Sequence, residues 1–252
     1  MAGDFELRTK HQFARLVERR ERLRVLKESA ALQARFAQLL GPIWARDSYA
    51  LDEMTKSLGS FQQTGNGSKA RQLRCHADAA QWLYQTSQTQ ASLSSGDLVE
   101  LHRRLLSAMD TSAGHFRESE VSSLAEGHEP LEAELVPFAV QNALEWFNAA
   151  SFHEMHEVEK TALVLMKLAD IVPFEQGNGL TLRLFANFFL LRGGYVPAVI
   201  GPRCADRYSA AIKDSFRFHT QPLIDLLAEA VLEGLQYCLA EPAAPPQLRV
   251  LS

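Results

Sequence analysis

The residues best able to do chemistry lie in one stretch, Ile171-Val172-Pro173-Phe174-Glu175-Gln176-Gly177-Asn178-Gly179-Leu180-Thr181-Leu182-Arg183. The run up to Asp170 has helical periodicity, and Pro173 stops it by pushing Val172 out of the α region. Gly177-Asn178-Gly179 is a turn signal, and from Leu180 to Arg192 the chain is again helical and strongly apolar. A glycine turn that opens into a helix leaves main-chain N–H groups without partners, and the helix dipole adds roughly half a positive charge there. That is a place for a phosphate or another anion. Arg183 lies one turn into the helix, so it is placed either to reach that anion or to form a structural ion pair with the helices before it.

Other reactive residues organise less well. His153, His156 and Glu157 lie close together on one helical segment, but zinc would want a further ligand and none stands out, so they read as surface side chains. Cys75, Cys204 and Cys238 are widely spaced and odd in number. They form neither a metal pattern nor a disulfide framework, which suits a reducing cytoplasm. A net charge of −4 argues against general nucleic-acid binding. The first residues, MAGDFELRTKHQ, lack an apolar leader, and no run is apolar for long enough to span a bilayer, so no membrane association is expected.

The central stretch resembles the signature loop of the Fic (Fido-fold) family, His-Pro-Phe-x-Asp/Glu-Gly-Asn-Gly-Arg-x-x-Arg. Pro173, Phe174, Gly177, Asn178, Gly179 and Arg183 match it. Val172 stands where the family has its histidine, Gln176 where it has its acidic residue, and Leu180 where it has its first arginine. The resemblance implies a transferase that moves a nucleotide monophosphate, most often AMP from ATP, onto a protein hydroxyl. It implies no catalytic base at Val172 and no Mg²⁺ ligand at Gln176. A cradle for ATP or another nucleotide remains at Gly177, Asn178, Gly179 and Arg183, with Mg²⁺ itself in doubt. Glu175, one position off, could replace the missing acid only after a local shift.

The resemblance extends beyond the loop. Gly114-His115-Phe116-Arg117 followed by Val121 looks like the family's flap, which docks a protein target by strand addition. Arg117 and Val121 are therefore expected at a docking edge, and His115 and His128 are the nearest candidates for a recruited base. The family's helical histidine, six residues before the loop's isoleucine, is Leu165 here. Many members carry an inhibitory helix, Ser/Thr-x-x-x-Glu-Gly/Asn, whose glutamate pairs with the second loop arginine. The best match here is Thr55 to Ser60, with Gly59 at the glutamate position, so this brake is expected to be lost together with the base.

The elements that must position the loop read as helices. The fold expected is all-α, a Fic/Fido helical fold with a short β-hairpin flap and an N-terminal helical extension. Residues 1–94 form the extension, 95–240 the Fido domain and 241–252 a proline-rich tail expected to be disordered. Residues 4–40 read as one long helix or two in tandem, ended by Gly41-Pro42, with a charged face from Glu18 to Arg24 that is solvated or meets a partner, such as a second copy in a homodimer. Further helices are expected over 48–60, 69–84, 95–109, 132–150, 151–170, 204–219 and 221–240. The helix after the loop is apolar nearly all round and should be the buried centre.

Overall fold

The computed structural model describes residues 2–55, 69–90, 92–107, 110, 112–121 and 128–240. The described chain is helical, with no strand among the described residues. The expected hairpin is therefore not seen: 112–121 is turn and coil, while 122–127 and the tail from 241 onward lie outside the described residues.

The N-terminal region holds α1 (Ala2–Val25) and α2 (Ala30–Gln38), two helices in tandem. Ser29 caps α2 by accepting the Leu32 N–H. Gly41-Pro42 does not end the helical path as the sequence suggested. A π-helical segment, Leu39–Ile43, carries Pro42 and leads directly into α3 (Trp44–Thr55). The wider turn absorbs a residue that has no N–H to give. α4 (Lys69–Thr89) runs one turn further than its apolar pattern implied.

α5 (Ser95–Leu106) starts from a capping box in which Ser94 and Asp97 satisfy each other's main-chain N–H groups. A short 3₁₀ turn leads into α6 (Val136–Phe147). The helix expected over 151–170 is split into a single turn, α7 (Ala150–His153), and α8 (Glu157–Ile171). His156 caps α8: its Nδ1 accepts the Val158 N–H, its ring stacks on Phe13 and its Nε2 meets the Tyr195 hydroxyl. Thus one of the two histidines read as surface residues ties α1 to α8.

α9 (Asn178–Ala186) and α10 (Phe188–Arg192) follow the loop. Asn187 joins them, donating to the Arg183 carbonyl and accepting the Ala198 N–H. Every residue of α9 is buried, which places it at the centre as its sequence required. α4, α5, α8 and α3 pack around it. α11 (Ala205–Ser215) and α12 (Gln221–Leu239) close the far side, with α1 and α2 laid against α12. Burying one large aliphatic or aromatic side chain contributes roughly 1.5–3 kcal/mol, so the buried Leu101 and Leu105 of α5, Leu165 and Leu168 of α8 and Phe185 of α9 itself hold the central helix firmly.

Candidate functional site: a glycine loop closed by an aspartate

The loop between α8 and α9 is held from several directions. α8 ends at Val172 in the left-handed conformation, φ 51° and ψ 68°. A β-branched residue is rarely found there. Its side chain is buried and apolar, so the position of the family's base offers no proton acceptor. The Val172 carbonyl accepts Arg117 Nε at 2.8 Å and the Pro173 carbonyl accepts the Arg117 N–H at 3.0 Å. Inside the loop the Asn178 side chain both accepts from Phe174 N–H and donates to its carbonyl, at 3.0 and 2.7 Å. Gly177 has φ +70°, and a Cβ there would lie 2.3 Å from Leu106 Cδ1. Only glycine meets both demands.

His102, on α5, is the piece that sequence reasoning missed. Its ring stacks on Phe174, with centroids 3.8 Å apart and planes 3° from parallel. Its Nδ1 accepts the Gly114 N–H at 2.9 Å, so the proton of the neutral ring belongs on Nε2, which faces the Gln176 carbonyl at 3.1 Å. One imidazole thus joins α5, the base of the flap and the loop. Burial pulls its pKa down to about 4, with the Gln176 bond opposing. His76, on α4, is fully buried with neither ring nitrogen bonded, and burial, reinforced by the Arg183 charge, takes it to about 3. Both resist protonation that the unfolded chain accepts near pH 6.5. Stability is therefore complete above that pH and falls as the pH drops toward 4, because the unfolded state then binds more protons. We expect a loss of about 2 kcal/mol per histidine between pH 6.5 and 5, read from urea midpoints. A flat profile would show that these rings are not held neutral.

Arg183 points away from solvent. Its Nη2 donates to Asp52 Oδ1 at 2.9 Å and to the Ser48 carbonyl and hydroxyl, both at 3.0 Å. Its guanidinium carbon lies 5.7 Å from the centre of the Tyr208 ring. The Asp52 carboxylate also covers Gly179: a Cβ there would meet Asp52 Oδ1 at 2.3 Å. Burial pushes the Asp52 pKa up, with Arg183 opposing. Burial also works against the Arg183 charge, but Asp52 and Tyr208 outweigh it and its pKa is raised. Arg183 Nη1, Asp52 Oδ2, and the Tyr49 and Tyr208 hydroxyls are buried without hydrogen-bond partners. The loop arginine is thus bound to an anion from its own chain.

Of Thr55 to Ser60, only Thr55 lies among the described residues. The helix that reaches the loop arginine is α3, through Ser48 and Asp52, one turn apart. Ser48 and Asp52 form a Ser-x-x-x-Asp pattern in the sequence.

The remaining candidates are dispersed. Arg117 is buried and bonds to the carbonyls of Val172, Ser119 and Leu131, so its side chain braces the loop and does not face a partner. Val121 is half-buried. Glu175 is exposed and accepts from Ser119 Oγ at 2.9 Å, which turns it toward the flap. Gln176 keeps a buried side-chain oxygen without a partner. His115 is exposed, whereas His128 is buried against Phe216 and bonded to Asp170. No group of three or more His, Cys, Asp or Glu among the described residues is arranged to hold a metal. The loop does not fit Mg²⁺ well: Gln176 is neutral where that ion prefers a carboxylate, and Glu175 is engaged elsewhere. The glycine turn and Arg183 do fit a phosphate, once Asp52 gives way.

The helical fold thus brings together a buried glycine loop, an arginine one turn along and an acidic side chain over both. Residues 92–190 match the model of the Fic/DOC family. A protein named protein adenylyltransferase Fic from Drosophila grimshawi is 32% identical over 157 residues, 62% of this chain and 32% of that relative. The Drosophila ananassae protein of the same name is 32% identical over 62% of this chain and 31% of its own length. The match therefore spans about a third of these relatives. Among solved structures, a Fic-1 fragment from C. elegans superposes with TM-score 0.79 at 21% identity, covering 94% of this chain and 73% of that one. A Fic domain containing signaling protein from Bacteroides thetaiotaomicron gives TM-score 0.75 at 21% identity, over 92% of this chain and 100% of that one. These likenesses establish the all-α Fic fold. No described helix is long and apolar enough to cross a membrane.

Proposed function

We propose that this chain is a Fic-type nucleotide-binding protein in which ordinary AMP transfer is impaired, and whose phosphate cradle is guarded by Asp52. The observation that carries the reading is the buried Val172 at the base position. A positioned general base contributes about 10²–10⁴ in rate, and an isopropyl group supplies none of it. In this reading Gly177, Gly179 and Arg183 hold the phosphates of ATP or another nucleotide, and Asn178 keeps the turn in shape. A protein partner docks along the main chain of residues 115–121, which Arg117 holds against the loop.

The test is calorimetric titration with ATP, with and without Mg²⁺. The unmodified chain should bind weakly, because Asp52 competes for Arg183. Asp52→Ala should raise affinity roughly tenfold or more, the size expected when a buried competing charge is removed. The double variant Asp52→Ala/Arg183→Ala should lose that gain. Strong Mg²⁺-dependent labelling of protein by the unmodified chain with radiolabelled ATP would overturn the reading. It would favour the alternative, an active transferase of AMP or another donor group using a non-standard loop. That alternative draws on one feature: Val172 keeps a left-handed backbone that valine disfavours, so the loop retains a demanding shape.

A further inference from the structure

Beside the flap lies a groove of about 440 Å³, bordered by Val99 on α5, Phe116 and Glu118 on the flap, and Glu134 and Pro137 at the start of α6. Phe138 follows Pro137 in the chain and is 67% exposed. Leu131 and Leu135, in the same stretch of chain, are exposed too. Exposed large apolar side chains clustered in one stretch of chain mark a surface suited to being covered.

Arg103, packed beside Gly114, is paired with Glu100, and the unpaired charge around the groove has one sign. Glu118, Glu129, Glu132 and Glu134 are all exposed, and none forms an ion pair among the described residues. The arginine of this segment, Arg117, is buried and committed to main-chain carbonyls. Glu120 accepts the Ala133 N–H and lies 3.7 Å from Arg117, so it holds the two sides of the groove together.

We infer that this groove docks a positively charged protein segment that carries an apolar or aromatic side chain between its lysines or arginines. The apolar side chain covers Phe138 and Pro137, and the flanking cations meet Glu118 and Glu134. The inference rests on the reading of the flap as a docking edge and adds the chemistry of what docks there. Acidic or phosphorylated segments are disfavoured by like charge.

The test uses fluorescence anisotropy on the full chain without nucleotide. Three labelled seven-residue probes are compared: one with a central phenylalanine between two pairs of lysines, one with the lysines replaced by glutamates, and one with the phenylalanine replaced by alanine. The lysine–phenylalanine probe should bind at least roughly tenfold more tightly than either of the others, and its affinity should fall as salt rises. Phe138→Ala and Glu134→Lys should each weaken it by roughly fivefold. Both positions are exposed, so the variants should retain the circular-dichroism spectrum and melting temperature of the parent. Equal affinity for all three probes, no binding of any, or indifference to both substitutions would overturn the inference. The ATP titrations of Asp52→Ala are independent of these outcomes, so a failure here leaves the nucleotide reading to stand or fall on its own test.

Discussion

A variant carrying Val172→His, Gln176→Glu, Leu180→Arg and Asp52→Ala should transfer labelled nucleotide in the presence of Mg²⁺, about 10²–10⁴ faster than the same variant with Val172 retained. The scaffold is ready for the histidine. Position 172 has φ 51°, where histidine is several-fold better tolerated than valine, so the backbone need not change. Glutamate at 176 supplies the carboxylate that Mg²⁺ prefers, and arginine at 180 adds a cation for the phosphates. Leu180 is fully buried, so this arginine should lower stability without nucleotide and regain it when ATP is added. Keeping Asp52 in the same background should suppress transfer, because Arg183 would still be tied to α3. A folded, ATP-binding variant that transfers nothing would show that the missing base and acid are not what limits this chain.

Arg183→Ala should destabilise the protein by about 3–5 kcal/mol, the usual effect of removing one partner of a buried pair. The substitution strands the Asp52 carboxylate, which is buried and has an oxygen already without a partner. It also removes a donor from the Ser48 carbonyl and hydroxyl. For a chain of this size the melting temperature should drop on the order of 10 °C. Removing both charges, as Asp52→Ala/Arg183→Ala, should restore part of the loss, since no unpaired charge then stays inside. Equal or greater destabilisation in the double variant would mean that packing against Tyr208, not charge, dominates this cluster.

The parts of the site legible in the sequence were those set by local rules. Pro173, Gly177 and the apolar run after Gly179 gave the helix stop, the turn and the buried helix, because each depends on neighbours in the chain. Asn178 was visible as a motif member, but its role, closing the turn through both polar groups of Phe174, needed coordinates. Asp52 was missed because its partner lies 131 residues away, and an i, i+4 serine and aspartate on a helix look like a solvated face. His102 was missed for a similar reason: on α5 it occupies a position on an apolar stripe, and nothing nearby signals that its two nitrogens bind Gly114 and Gln176. Arg117 was read for its place in a flap pattern, whereas its burial depends on the carbonyls of two distant segments. Pro42 misled because proline is a helix breaker only where the turn cannot widen around it.

The clamp formed by Phe174, His102 and Asn178 has a consequence for how a ligand would enter. A loop fixed at both ends and stacked through its middle has little conformational entropy left to lose, so in the function proposed above any opening of the cradle falls to α3. Observed affinity is then the intrinsic affinity multiplied by the fraction of molecules with α3 displaced. If that fraction were about one in a hundred, affinity would be about a hundredfold below what the loop itself can deliver. Anything that pulls on α3 from outside, without touching a nucleotide, would then act as a volume control on the site.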